Sequence, residues 1–436
     1  MLRPKCIRRI STAFIPLCDR IRITMKTVIC GLGCLTGRPK AKRSALFILI
    51  VLLAFLTEHN ILAQQSYTTA KCYNAPPKIA SPSAVAIDTS NGRIMYHKNA
   101  FKKRQMASTA KIMTAILAIE KGDRNDLVTV SRRAAYIGGS QAHLKVGEKI
   151  KLGHLLYALM LPSGNDAAIA IAEHISGSVE QFVLLMDQKA KEIGAHNTKY
   201  GSPHGLDRNN YSTAYDLALI TRYCLENPTF KELVRTKNKV IPRQGSAAGK
   251  EYRNTNKLLF TYGGADGVKT GYTGPAGKCL VASATKNDWQ VVSVVLGAKS
   301  TYQRFNDSAK ILDYVFDNFP FVTVLPKGRK MVSVSVLKGK KDSVYLINRD
   351  EITMHLSDAE LAEIERDFLI PDQLTAPVVQ EQAVGKVILR LGENIIGACD
   401  LYAAESVRFW TVDMNLRKIF ENWIQMNKML QKHMNL

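Results

Sequence analysis

The amino-acid sequence predicts an antiparallel β-sheet flanked by helices, an α/β (α+β) sandwich, followed by a small all-β domain and a C-terminal amphipathic helix. Three observations carry this expectation. The pattern runs strand pair, helices, then strands over the first folded part of the chain. Short alternating strands replace it after Phe319-Pro320. A narrow apolar stripe at helical spacing marks the final segment. The expected units are a leader with a signal peptide over 1–63, a main domain over 64–318, a β-rich domain over 319–403 and a terminal helix over 404–436.

The leader is basic. Residues 1–44 hold eleven Lys or Arg and one acidic residue. Lys40, Lys42 and Arg43 precede Ala45–Leu56, an apolar run of the length of a signal-peptide core and short for a bilayer span. Ile61-Leu62-Ala63 offers a cleavage site before Gln64. The basic stretch before the run is long for a signal peptide, so Met25 is an alternative start and an uncleaved signal anchor an alternative reading. Both export the rest of the chain.

In the main domain, Ala84–Asp88 and Arg93–Tyr96 flank Ser90-Asn91-Gly92, a hairpin signal. Ser108–Lys121 has helical spacing, with Ile112, Met113, Ile116, Leu117 and Ile119 on its apolar side. Leu152–Leu161, Asp166–Ile175 and Tyr215–Tyr223 read as further helices. Lys278–Thr285 and Gln290–Leu296 read as strands joined by Lys286-Asn287-Asp288. In the second domain, Val332–Val336, Ser343–Ile347 and Val387–Leu391 are the clearest strands. In the last segment Val412, Leu416, Ile419, Trp423, Met426, Leu430 and Met434 share one stripe, while Arg417, Lys418, Glu421, Lys428 and Lys432 lie off it. That is the pattern of a helix lying in a membrane interface, or of one packed on the second domain.

Composition narrows the function classes. The 436 residues are 46% hydrophobic and 22% charged, a globular balance able to bury a core. The net charge of +23 suits an anionic surface or polymer. Neither a zinc-type Cys/His spacing nor a basic-aromatic RNA-binding string is present, which argues against nucleic acid. Of the eight cysteines, Cys6, Cys18, Cys30 and Cys34 lie in the leader; Cys72, Cys224, Cys279 and Cys399 are too dispersed for a disulfide scaffold. Cys279 sits in an apolar strand and reads as core.

Three short motifs carry chemistry. Ser108-Thr109-Ala110-Lys111 puts a hydroxyl and an amine on one helical face, where a neutral Lys can take the hydroxyl proton. The strings Ser283…Lys286 and Ser335…Lys338 lie in strand patterns, where such spacing points to opposite faces. Ser163-Gly164-Asn165 sits between two apolar helices and offers a hydroxyl and a carboxamide. Lys269-Thr270-Gly271 precedes the Cys279 strand; Lys and Thr can hold a carboxylate, and Gly271 lets another backbone approach closely. Singly, each has a bland explanation: an N-cap serine, a turn, a strand end with an exposed Lys.

In this order, the three motifs resemble those of penicillin-binding proteins and serine β-lactamases. Tyr96–Ala100, Ile112–Ala115, Pro203–Asp207 and Asn254–Leu259 look like the low-molecular-mass D,D-carboxypeptidase branch, strongly over about residues 75–315. The resemblance implies a serine β-lactamase/transpeptidase-like fold and a peptide substrate ending in D-Ala-D-Ala. It implies that Ser108 attacks the penultimate carbonyl, with Lys111 as general base, made acidic by burial and by the Lys269 charge. Ser163 would pass a proton to the leaving group, Asn165 would hold a substrate amide, and Lys269 and Thr270 would grip the terminal carboxylate. The backbone N–H groups of Ser108 and Tyr272 would form the oxyanion hole. β-Lactams would acylate Ser108, and no metal or organic cofactor would be required. Two departures stand out: Thr255 where some relatives have Arg, and Tyr272 where some have His. His204 and Asp216 read as structural. Alternative readings are a β-lactamase, for which no Glu-x-x-Leu-Asn string is evident; a D,D-endopeptidase of the same fold; and a wall-binding scaffold with a decayed site. The implied partners are peptidoglycan stem peptides, β-lactams and, through the C-terminal helix, a membrane surface outside the cytoplasm.

Overall fold

A computed structural model describes residues 75–410 and 412–434. The expectations about the leader, its signal run and Cys72 therefore lie outside the described residues. The expected hairpin forms as β1 (Ser83–Asp88) and β2 (Ile94–Lys98), turning through Gly92 at φ 80°. It joins three later strands, β5 (Ala265–Thr273), β6 (Gly277–Lys286) and β7 (Trp289–Ala298), which follow β3 (Asn238–Arg243) and β4 (Ser246–Arg253) in the chain. The sheet is antiparallel in the order β2-β1-β7-β6-β5, which leaves β5 as an edge.

Every residue of β1 is buried because both faces of the sheet are covered. Val85, Ile87, Val281, Val292 and Val294 face the larger helical core. Ala84, Ala86, Val291 and Val295 face α7 (Thr301–Asn318) through Ile311, Leu312 and Val315. The helical layer holds α1 (Lys111–Lys121), α2 (Leu152–Met160), α3 (Asn165–Ser176), α4 (Val179–Glu192), α5 (Ala214–Glu226) and α6 (Pro228–Arg235). α1 is its axis. Its residues from Lys111 to Ala118 are all buried, against α2, α3, α5 and α6. Each fully buried Ile, Leu or Met there contributes about 1.5–3 kcal/mol.

Four helices start on residues that accept backbone N–H bonds: Ser178, Thr213, Asn227 (followed by Pro228) and Ser300. A second hairpin, β3 (Asn238–Arg243) and β4 (Ser246–Arg253), leads through Asn254 and Thr255 to the short segment before β5.

Beyond Phe319 the chain forms β8 (Phe321–Leu325), β9 (Lys330–Leu337), β10 (Ser343–Asn348), β11 (Ile352–His355), β12 (Ile364–Leu369), β13 (Gln373–Thr375), β14 (Ala383–Leu391) and β15 (Asn394–Ala403). Six of them pair as β12-β14-β15-β10-β9-β13, and β8 pairs with β11. The alternation read from sequence is physical: Val334 and Val336 of β9 and Val344 and Leu346 of β10 point into one core with Val387, Leu389 and Leu401. This domain meets the first where His355 stacks on Trp289 at 3.6 Å and Arg93 pairs with Glu360 at 2.5 Å.

After the short α8 (Asp358–Ala362), the terminal helix α9 spans Val412–Met434. Leu416, Ile419, Phe420, Trp423, Met426 and Met429 on it are exposed, so this apolar set is not packed on the second domain. No single described helix is long and apolar enough to cross a membrane.

Candidate active site

Ser108 does not open α1 as an N-cap. It lies in a 3-10 turn, Ala107–Ala110, that feeds into the helix, and neither element has a side-chain cap. The turn is tightened by Thr109, whose hydroxyl donates to the Met106 carbonyl at 2.6 Å, and by Ala107 at φ 50°, a conformation costly for a residue with a Cβ. Two glycines hold this strained turn. A Cβ on Gly205, at φ 87°, would lie 1.9 Å from the Ala107 carbonyl oxygen, and one on Gly271 would lie 3.0 Å from the Ser108 nitrogen. The close backbone approach expected at Gly271 is therefore made by the Ser108 turn itself.

Lys111, one turn further on, is fully buried. Its Nζ lies 3.0 Å from Ser108 Oγ, 2.6 Å from Asn165 Oδ1 and 3.1 Å from the His204 carbonyl oxygen. The carboxamide orientation is determined by the protein: Asn165 Nδ2 donates to the Gly138 carbonyl at 2.6 Å, so Oδ1 must face the amine. Both amine partners other than Ser108 are thus acceptors. A neutral amine has two N–H donors for them and one lone pair left for the serine hydroxyl proton. Burial holds the Lys111 pKa well below its ordinary value, the Lys269 charge lowers it further, and Asp166 opposes them. The Asp166 carboxylate accepts from the backbone N–H groups of Ala142, Leu144 and Ala167, which pins the loop preceding α2 to the start of α3.

Ser163 and Asn165 come from the junction of α2 and α3. Ser163 sits at φ 67° and is buried, and its hydroxyl makes no hydrogen bond among the described residues. Lys269, Thr270 and Gly271 lie on the edge strand β5, with Lys269 and Thr270 buried. Lys269 Nζ donates to the Thr270 carbonyl at 3.0 Å, and the Thr270 and Thr255 hydroxyls are 2.7 Å apart. Burial, and then the Arg304 charge, bring the Lys269 pKa down to about 7. Tyr272 is exposed at the end of the strand, with Lys278 Nζ 3.2 Å over its ring.

The geometry thus joins the first motif directly to the second through Lys111 and Asn165, and to the third through Gly271. Three contributions have no signal in the sequence. Arg304 on α7 reaches through the sheet to donate to the Gly271 carbonyl at 3.0 Å and lies behind Lys269. The His204 carbonyl and the Gly138 carbonyl are backbone groups, set by loops. The His204 ring bonds locally, accepting from the Leu206 N–H at Nδ1, and Asp216 accepts from Asn197 N, Thr198 and Thr213. A hydroxyl beside a buried amine whose pKa burial lowers, with an edge strand alongside, is an arrangement competent for acyl transfer through a serine ester.

Comparison with known proteins gives the family. Residues 70–300 match the family described as D-alanyl-D-alanine carboxypeptidase, and residues 319–408 match the penicillin-binding protein 5 C-terminal domain. The chain is similar to D-alanyl-D-alanine carboxypeptidase DacF of Bacillus subtilis, at 33% identity over 78% of this chain and 89% of that one. It is also similar to DacC of Escherichia coli, at 32% identity over 88% and 98%. Among solved structures, the D-alanyl-D-alanine carboxypeptidase DacD from Francisella tularensis superposes with a TM-score of 0.63 at 28% identity, covering 79% of this chain and 98% of that chain. This chain belongs to the D-alanyl-D-alanine carboxypeptidase family of serine peptidases. The α/β sandwich with a second β domain is the fold of these neighbours.

Proposed function

We propose that this chain is a serine-type D-Ala-D-Ala carboxypeptidase that trims peptidoglycan stem peptides through an acyl-enzyme on Ser108. The observation that carries the proposal is the Lys111 amine, buried and held 3.0 Å from Ser108 Oγ, with both other partners acceptors. Ser108 attacks the carbonyl of the penultimate D-Ala while its proton passes to the Lys111 lone pair. The backbone N–H groups of Ser108 and Tyr272 stabilise the oxyanion, a contribution of ~10²–10³ in rate per donor. Ser163 relays a proton to the departing D-Ala amine, Asn165 holds a substrate amide, and Lys269 and Thr270 hold the terminal carboxylate. The substrate backbone adds along the free edge of β5. Water then hydrolyses the ester. A β-lactam acylates the same hydroxyl.

The chain is also proposed to act outside the cytoplasmic membrane, exported by its leader and attached through the exposed apolar side chains of α9, as a peripheral interfacial helix.

Mass spectrometry after penicillin treatment tests the catalytic reading. A single adduct is expected on the peptide containing Ser108, and S108A should lose both the adduct and D-Ala release from a D-Ala-D-Ala peptide. An adduct on another serine, or D-Ala release by S108A, overturns it.

A further inference from the structure

Away from the catalytic centre, a cavity of about 380 Å³ opens at the N-terminal end of α2. Arg124, Lys151 and Lys239 line it together with His154, Tyr157 and Glu232. None of the three cations forms an ion pair among the described residues. Lys239 Nζ rests 4.8 Å over the Tyr157 ring, and Lys151 Nζ reaches only the Asn125 carboxamide, at 3.5 Å. The one carboxylate in the wall, Glu232, accepts from the Tyr157 hydroxyl at 3.2 Å. Charge of one sign thus accumulates around a concave space with little to neutralise it. Burial first, and then the charges of Lys151 and Lys239, disfavour the cationic form of His154.

We propose that this cavity is a binding site for a phosphate group carried on a larger molecule, a phosphomonoester or phosphodiester. The reasoning is one of charge and shape. A carboxylate is satisfied by one forked cation, whereas several point charges from different elements suit the oxygens of a tetrahedral phosphate. The volume exceeds one inorganic anion and leaves room for the attached alcohol. α2 also sets a distance. The helix runs from this cavity to the Ser163 junction over nine residues, a rise of ~14 Å at 1.5 Å per residue. Cavity and cleft are therefore near enough for one extended polymer, or for a phosphate-bearing surface beside the wall, to occupy the first while a stem peptide occupies the second.

His154 reports on the site without involving catalysis. In the full chain, NMR titration of its ring should show a pKa rise of about half a unit or more in inorganic phosphate relative to chloride at equal ionic strength, because a bound anion favours the imidazolium. K151Q/K239Q should abolish the phosphate-dependent part of the rise while leaving penicillin acylation of Ser108 unchanged. Glycerophosphoglycerol and vesicles containing phosphatidylglycerol, each tested as competitor, separate a soluble or wall phosphodiester from a lipid headgroup. An equal response to phosphate and chloride, or the same phosphate response in K151Q/K239Q, overturns the proposal.

Discussion

Gly271→Ala is the sharpest probe of how the catalytic segments are held together. The added Cβ would sit 3.0 Å from Ser108 N, 3.1 Å from Ala107 Cβ and 3.1 Å from Met106 O, where ordinary contacts begin at 3.4 Å. Backbone on both sides leaves no flexible side chain to yield. β5 must therefore retreat from the Ser108 turn by about 0.3–0.4 Å. Misplacing reacting groups by 1 Å loses ~10²-fold in rate, so this retreat alone predicts a loss of about fivefold. If it also misaligns an oxyanion N–H, the loss approaches ~10²-fold. The assay is the second-order rate of acylation by a fluorescent penicillin, with thermal unfolding as a control for overpacking, which costs about 1–3 kcal/mol. Gly274→Ala, whose Cβ would meet nothing within 4 Å, is the matched control and should acylate at the wild-type rate. A folded G271A protein acylating within twofold of wild type would refute the close-approach argument.

Four other outcomes follow from the same structure. Lys269, with its pKa near 7, keeps its charge below that pH and loses it above, so kcat/KM for a peptide with a free terminal carboxylate should fall as pH rises past about 7; an amidated analogue should lack this limb, and a flat profile to pH 9 for the free acid would contradict the assigned role. Because Lys111 and Lys269 both bind protons less well folded than unfolded, they should make stability increase from about pH 7 to 9, measurable by denaturant titration. Arg243→Met strands the buried Glu148, which Arg243 holds at 2.5 and 2.8 Å, and should destabilise the protein by about 3–5 kcal/mol, read as a lower urea midpoint. Removal of residues 411–436 should abolish sedimentation with anionic vesicles while leaving penicillin acylation intact; unchanged sedimentation would remove α9 as the attachment.

Much of the fold was legible because its signals are local. The Asn91-Gly92 turn, the all-apolar faces of α1 and α2 and the period-two alternation of β9 and β10 each state their geometry within a few residues. Other elements escaped. α4, α6 and α7 are amphipathic, with charged outer faces that blur the apolar period, yet Ser178, Asn227-Pro228 and Ser300 are start signals that could have revealed them. The β3–β4 hairpin has a weak pattern because most of β3 is exposed.

The site divides along the same line. Its side-chain chemistry was readable, since Ser108 and Lys111 are one helical turn apart and Ser163-x-Asn165 and Lys269-Thr270-Gly271 are contiguous strings. Sequence by itself thus determined which groups are available, and the family resemblance implied that Lys111 would be desolvated. Only the tertiary structure decided what the amine faces. The Gly138 carbonyl turns Asn165 Oδ1 toward it, the His204 carbonyl supplies the second acceptor, and Arg304 braces the edge strand from the far side of the sheet. Backbone carbonyls are identical in every residue, and an arginine in an amphipathic helix has no local mark of direction. Long-range packing aims these groups, so no stretch of sequence records it.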